Sequence, residues 1–150
     1  MDINDLFGYK LNLSARLIKR KLDVYVMEFG ITIPQWTELK ILSVEDNLMQ
    51  VEIANRLNAD IATVGATTDR LVKKGFVKKK KQKDDRRAYR ISITNQGRDI
   101  VENVDKKVDL CNQNALVGFS QDEIKQFFLY LDRVSINLTR DISLQEGNDI

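Results

Sequence analysis

The sequence contains no histidine. Histidine is the usual general base near neutral pH, the usual partner of nucleophilic serine or cysteine, and the commonest zinc ligand. The sequence also has no glycine-rich phosphate loop and no cluster of metal-ligand residues. These absences argue against an enzyme, a metal site and a bound cofactor.

Cysteine, proline and long apolar runs are also scarce. The single cysteine, Cys111, cannot form an internal disulfide, which fits a reducing cytoplasm. One proline and seven glycines among 150 residues are too few for a collagen-like or linker-rich chain. No apolar run approaches the roughly 18 residues of a membrane span, and the first residues carry no secretory pattern. We therefore expect a globular cytoplasmic protein without a membrane partner.

The net charge of +2 hides a strong asymmetry. Residues 70–90 hold eleven basic and two acidic residues, a local charge of +9, and the remainder of the chain carries −7. A local field of this size favours a polyanionic partner, nucleic acid before membrane. Most charge runs are only solvated faces. This one lies mid-chain, however, and leads directly into the alternating residues 91–94, which are typical of a strand.

The apolar periodicity predicts a mostly α fold with a small β wing (α+β). We expect helices at residues 4–29, 50–57, 61–74 and 97–116, one opened by a capping box of Thr32 and Gln35, and a last one opened by Ser120 and Glu123. A turn at residues 58–60, capped by Asp60, joins two short helices as in a helix-turn-helix. Strands on either side of a polar tip follow, and residues 95–97 are expected to form a turn. This order predicts a winged helix-turn-helix.

Four segments carry a family resemblance: GITIPQW (30–36), QVEIANRL (50–57), DRLVKKGFV (69–77) and DRRAYRISIT (85–94), the last followed by Gly97. The chain resembles the MarR (multiple antibiotic resistance regulator) family of bacterial transcription factors, close to its SlyA-like members, over nearly its whole length. The most specific segment is the wing, since the family carries an Asp-x-Arg signature where Asp85 and Arg87 stand.

The resemblance implies a single domain over residues 1–150. Residues 32–95 would form the winged helix-turn-helix, and residues 1–30 and 97–143 a helical dimerisation part. The apolar stripes of the terminal helices also favour a homodimer, although they could form one intramolecular core. The implied function is a sequence-specific regulator of double-stranded DNA. It would act as a repressor released by a small aromatic or phenolic effector, or by occupancy or anti-repression without an effector.

The DNA contacts are predicted on two elements, the recognition helix at 61–74 and the wing at 77–94. Base-edge contacts are expected from the start of the helix, and Arg87 is expected to enter an A·T-rich minor groove, oriented by Asp85. Phosphate contacts would hold the backbone without specifying sequence. The full set is Gln50, Ala62, Thr63, Ala66, Arg70, Lys73, Lys74, Lys81, Lys83, Asp85, Arg86 and Arg87.

Three residues leave alternatives open. Gly65 weakens a helix by roughly 1 kcal/mol relative to alanine. Either it lets the helix approach the groove floor together with Ala66, or it is sequence drift. Arg70 either contacts DNA or pairs with a neighbouring carboxylate. Cys111 is either a redox sensor or structural filler, and filler is favoured because its neighbours in sequence, Asp109 among them, give no reason for an activated thiol.

Overall fold

The computed structural model describes residues 2–81 and 89–146, with side chains through residue 140. Its contacts divide the chain into two compact units, residues 1–112 and 113–150, which are treated separately. The helices are α1 (Phe7–Met27), α2 (Ile33–Val44), α3 (Gln50–Leu57), α4 (Ile61–Lys73), α5 (Asn95–Ala115) and α6 (Gln121–Glu146), and the strands are β1 (Leu48–Met49), β2 (Val77–Lys81) and β3 (Tyr89–Ile93).

The predicted helix starts are confirmed at three caps. Thr32 and Gln35 form a reciprocal capping box, in which the Gln35 N–H donates to Thr32 Oγ1 and the Thr32 N–H donates to Gln35 Oε1. Asp60 accepts the Thr63 N–H at 2.7 Å. Ser120 and Glu123 form a second box. These short polar side chains satisfy amide groups that have no partner within the helix.

Two boundaries differ from the sequence prediction. The first predicted helix is interrupted, because Leu6 takes an extended backbone between a 3₁₀ turn at Ile3–Asp5 and α1. The turn predicted at residues 95–97 is instead the first turn of α5, with the Gly97 N–H donating to Thr94 Oγ1 at 3.1 Å. Gly97 serves packing rather than turning: a Cβ there would lie 2.3 Å from the Phe76 carbonyl oxygen.

The three strands form one antiparallel sheet in the order β1-β3-β2. Strand β1 was not predicted, because its two residues are too short to show alternation; it pairs Leu48 with Ile91. Strands β2 and β3 pair Val77 with Ile93, and both of these residues are buried. Alternation therefore places Lys78 and Lys80 on the opposite, outer face of the hairpin.

The main core of the first unit joins α2, α3, α4, the sheet and the start of α5. Its fully buried members include Leu39, Leu42, Ile53, Leu71 and Ile91. A smaller cluster around Val26, Ile31 and Val104 ties the end of α1 and the start of α2 to α5. The main core fixes α4 against the sheet, so α4 and the β2–β3 hairpin share one scaffold.

The second unit is dominated by α6. Within the single chain, none of its residues in the described range 121–140 is buried. Large apolar side chains on this helix stay exposed, including Phe128 at 55% and Leu138 at 59%. No helix in the described part of the chain has both the length and the apolarity needed to cross a membrane.

Candidate nucleic-acid interface

Helices α3 and α4 form the helix-turn-helix, and their junction sets the pose of α4. Asn58 ends α3 in the left-handed conformation, with φ of 48°. The Ala59 N–H then donates back to the Ala54 carbonyl oxygen at 3.0 Å. Asp60 follows directly as the cap of α4. Asparagine tolerates positive φ better than other non-glycine residues, which explains its place at this sharp turn.

One face of α4 is buried and the other is exposed. Val64, Thr67, Thr68 and Leu71 face the core. The exposed face holds the predicted contact residues Ala62, Thr63, Ala66 and Arg70. A helix that presents short side chains at its N-terminal half can lie close to base edges in a major groove. The structure therefore brings these four predicted residues to one surface.

Thr63 and Arg70 have different freedom on that surface. The Thr63 hydroxyl donates to Asp60 Oδ2 at 2.5 Å, so its proton is used internally and its oxygen remains available as an acceptor. Arg70 is exposed and pairs with no carboxylate within 4.0 Å among residues 2–81 and 89–140. The structure thus offers no described carboxylate for the salt-bridge alternative considered for Arg70.

Gly65 receives the side chain of Gln50 from α3. Gln50 Nε2 donates to the Ile61 carbonyl oxygen at 2.8 Å, and a Cβ on Gly65 would lie 2.6 Å from that nitrogen. The structure adds a third explanation for Gly65, because the glycine leaves room for a side chain of the neighbouring helix, and the two alternatives stated from the sequence stay open. Gln50 keeps one amide hydrogen for a phosphate, and its predicted phosphate contact stays a prediction.

The predicted phosphate-contacting lysines are not equivalent. Lys73 and Lys81 are exposed. Lys74 donates through Nζ to the Gly30 carbonyl oxygen at 2.8 Å, which ties α4 to the end of the first helical segment. Lys81 Nζ lies 5.9 Å from the ring centre of Tyr89, within cation–π range. Lys74 therefore has an internal role that the sequence did not indicate.

Two exposed cations of the hairpin were missed by the sequence prediction. Lys78 and Lys80 lie on its outer face, and Lys80 stands directly opposite Arg90 on β3. Like charges facing each other across a sheet are unfavourable unless an anion lies nearby. Lys79, on the other face, pairs with Asp69 at 2.5 Å. Counting alternate residues from the buried Val77 would have separated the outer lysines, Lys78 and Lys80, from Lys79.

The wing tip lies outside the described residues. It includes the predicted contacts Lys83, Asp85, Arg86 and Arg87. Cys111 is buried at 3% exposure in α5, which favours structural filler over a redox sensor.

A buried acid, Glu38 on α2, was also missed by the sequence prediction. It is fully buried and contacts Thr68 on the inner face of α4. Burial raises its pKa from 4.5 to about 7, although the hydrogen bond from Thr68 acts in the opposite direction. The helical spacing of Glu38 with Gln35 and Leu42, two residues that prove buried, was the available signal.

Comparisons with known proteins agree with this architecture. The chain matches the model of the MarR family over residues 31–89. The HTH-type transcriptional regulator YwoH of Bacillus subtilis (strain 168) is 31% identical over 132 residues, which cover 88% of this chain and 95% of the relative. The HTH-type transcriptional regulator SarZ of Staphylococcus saprophyticus is 31% identical over 99 residues, 64% of this chain and 68% of the relative.

Solved structures give the same picture. The S. aureus MepR–DNA complex superimposes with a TM-score of 0.81 at 25% identity, covering 88% of this chain and 98% of that chain. A mutant MarR from E. coli complexed with operator DNA gives a TM-score of 0.79 at 24% identity, covering 89% and 99%. The regulator SlyA also gives 0.79 at 24% identity, covering 90% and 95%. The predicted fold class is confirmed.

Proposed function

The chain belongs to the MarR family of HTH-type transcriptional regulators, which are not enzymes, and from this premise we propose that it is a cytoplasmic homodimer that binds a pseudo-palindromic DNA operator. The observation that carries the proposal is the exposed face of α4, together with the exposed cations of the following strand β2. Base edges would be read by the start of α4, and phosphates held by the lysines.

Two apolar surfaces support the dimer. On α1 and the preceding turn, Ile3, Phe7, Leu17 and Met27 are exposed at 52% or more. On α6 the exposed apolar residues include Phe127, Phe128, Leu129, Ile136 and Leu138. Large exposed apolar side chains that cluster on a helix are typical of surfaces that bind another protein. We assign both surfaces to a second copy of the chain, so that residues 1–30 and 97–143 serve dimerisation and residues 32–95 bind DNA.

The regulatory outcome has two candidate forms. Repression released by a small aromatic or phenolic effector follows from the family resemblance. Occupancy or anti-repression without an effector requires only the DNA-binding surface. Titrating aromatic acids into the protein–DNA complex separates them: release of DNA by a ligand at a saturable site supports the first form, and unchanged binding supports the second.

The test of DNA binding is affinity for a palindromic A·T-rich duplex against a random duplex of equal length. Half-sites one helical turn apart, roughly 10–10.5 bp between centres, match the geometry of a winged dimer. We expect a modest specificity ratio of roughly 10³, because α4 presents few long side chains. Equal affinity for both duplexes would refute sequence-specific binding. Sedimentation that shows a stable monomer at micromolar concentration would refute the dimer.

A further inference from the structure

The core of the DNA-binding part contains an unusual group. Glu38 is the one acidic side chain that is buried in the described part of the chain, with no exposed surface. It projects from α2 toward Thr68, which is also fully buried and lies on the recognition helix α4. The two side chains therefore form a polar tie between the scaffold and the helix proposed to read DNA.

The number of protons available for the contact between Glu38 and Thr68 indicates whether Glu38 is protonated. Thr68 Oγ1 lies 2.5 Å from Glu38 Oε1 and 2.9 Å from the Val64 carbonyl oxygen. A threonine hydroxyl has one proton, and a carbonyl oxygen only accepts. Both contacts are full hydrogen bonds when Glu38 is protonated and supplies the second proton, whereas Thr68 donates to Glu38 when the acid is ionised. The neutral acid donates to Thr68, and Thr68 donates to Val64.

The surroundings of the second carboxyl oxygen of Glu38 also indicate a protonated acid. Glu38 Oε2 is buried and has no hydrogen-bond partner among the described residues. An unpartnered carbonyl oxygen of a neutral acid is far less unfavourable in an apolar interior than an unpartnered carboxylate oxygen. Burial is accordingly the main reason that the pKa of Glu38 rises to about 7.

We propose that Glu38 is a proton-binding site coupled to operator binding, so that the chain binds DNA with Glu38 protonated and releases DNA as that proton leaves. This inference rests on the proposed function. When Glu38 ionises, its proton leaves to solvent, the Thr68 hydroxyl donates its hydrogen bond to the carboxylate, and the Val64 carbonyl oxygen loses that hydrogen bond. A buried charge then stands against the inner face of α4, which disturbs the packing that sets its pose.

The field of DNA gives the coupling its sign. The phosphates place a negative potential on the recognition helix, and this potential disfavours a carboxylate behind it. Glu38 should therefore hold its proton more tightly in the complex than in the free protein. By linkage, binding takes up a proton, so affinity is highest below the pKa of the free protein and falls as pH rises above it.

The charges around Glu38 do not remove this effect. Lys79 of β2 lowers its pKa and Asp69 of α4 raises it, and both influences are weaker than burial and the Thr68 bond. Lys79 and Asp69 pair with each other at 2.5 Å, so their fields at Glu38 largely cancel. Helices α1 and α3 and strand β3 also pack on α2. No charged group among their described residues shifts the pKa of Glu38.

The absence of histidine makes the test sharp. Few other groups of this chain have an ordinary pKa between pH 6 and 8; the α-amino group, at about 8, is the main one. Operator affinity of the full-length dimer is measured at fixed salt from pH 6 to 8.5. We expect affinity to fall above pH 7 by up to about tenfold per pH unit for each coupled proton.

Glu38→Gln is the matched control, since its amide can donate to Thr68 as the neutral acid does. We expect this variant to bind with an affinity that is nearly flat over the same range. Calorimetry at pH 7, in two buffers of different ionisation enthalpy, should show proton uptake on binding for the native protein and little for the variant. Equal pH profiles for the two proteins overturn the proposal.

A second readout does not depend on that variant folding. The ¹³C shift of the Glu38 carboxyl carbon gives its pKa in the native protein, free and bound to DNA. We expect a higher pKa in the complex, and an equal or lower one overturns the coupling. Absence of operator binding at every pH would refute the proposed function itself, whereas binding that is independent of pH would refute only the role of Glu38.

Discussion

In the proposed complex, the recognition helix and the hairpin of the wing have different roles in DNA binding. Helix α4 presents alanine and threonine on its exposed N-terminal half, and its cations Arg70 and Lys73 lie in its last turn. Strand β2, which has five residues and pairs with β3, carries Lys78, Lys80 and Lys81. Short side chains permit close approach to bases, and long cations neutralise phosphates. The comparison implies that specificity and affinity respond to different perturbations.

The two regions also differ in what anchors them. Helix α4 is tied to the core through the buried pair Glu38–Thr68, and the protonation of Glu38 depends on pH near neutrality. The hairpin contributes cations, whose binding to phosphates weakens as the salt concentration rises. Salt should therefore act mainly through the hairpin, and pH mainly through the helix.

The largest expected effect is at the wing tip. Arg87→Ala should weaken operator binding by roughly 1–3 kcal/mol per contact, with one contact in each subunit. The loss should be greatest on operators with A·T-rich flanks, because narrow minor grooves attract arginine. Titration of labelled duplexes with and without such flanks measures both quantities. A variant that loses equally on both duplexes would assign Arg87 to phosphate binding.

Asp85→Ala provides the accompanying sign test. If Asp85 orients Arg87 by a charge-assisted bond, removing it weakens binding although a negative charge near DNA disappears. A purely electrostatic role predicts the opposite direction. Tighter binding by the Asp85 variant would therefore refute the orienting role.

The second prediction concerns the anchor of α4. The unfolded Glu38 has an ordinary pKa near 4.5 and the folded one about 7. Because the folded state holds the proton more tightly, its contribution is fully present below pH 4.5 and is lost as pH rises to 7. At about 1.4 kcal/mol per pKa unit, the free energy of unfolding should fall by about 3 kcal/mol from this group. Denaturant titrations of native and Glu38→Gln protein between pH 4.5 and 7.5 measure the difference, and parallel curves would contradict it.

The third prediction uses salt to isolate the hairpin. Each phosphate neutralised adds about 0.9 to the slope of log affinity against log salt, so three or four contacts per subunit give a dimer slope of roughly −5 to −7. Lys80→Gln should make the slope shallower by about 1.8, since each dimer loses two contacts. Lys74→Gln provides a comparison: because that lysine donates to the Gly30 carbonyl oxygen, we expect its loss to flatten the slope less. An unchanged slope for Lys80→Gln would contradict the assignment of the hairpin cations, and equal flattening by both variants would support the predicted phosphate contact of Lys74 as well.

Most of the fold could be predicted from the sequence, because its start signals are local. The caps at Thr32, Asp60 and Ser120 each act over three residues, and apolar spacing marks the helices between them. Strand β1 could not be predicted, since two residues carry no period and their pairing with β3 is long-range. The start of α5 was missed because Asn95, Gln96 and Gly97 read locally as a turn.

The site was predicted less completely, for the same reason. Exposed residues of α4 follow from helical spacing, and the structure brings them together. The roles of Lys74, Gln50 and Glu38 depend on partners 11 to 44 residues away in sequence. Such partners are set by how helices pack, and a single sequence gives little information on that. The outer lysines of β2 could have been predicted from the sequence, because side chains alternate along a strand from Val77.

The smallest expected effect separates packing from recognition within the helix itself. Gly65→Ala should improve helix propensity by roughly 1 kcal/mol. It should also displace Gln50, whose Nε2 would lie 2.6 Å from the new Cβ, and break its bond to the Ile61 carbonyl oxygen, a loss of about 0.5–1.5 kcal/mol. Because Nε2 ends a flexible side chain, these terms should nearly cancel in the free energy of unfolding. Operator affinity should still change, since Gln50 is displaced from its position against α4.

Gln50→Ala is the matched background. In that variant the Gln50 side chain is gone, so Gly65→Ala should stabilise the protein by up to about 1 kcal/mol. Thermal unfolding and operator titration of the two single variants and the double variant measure this coupling, and strictly additive effects on both would show that Gly65 does not position Gln50.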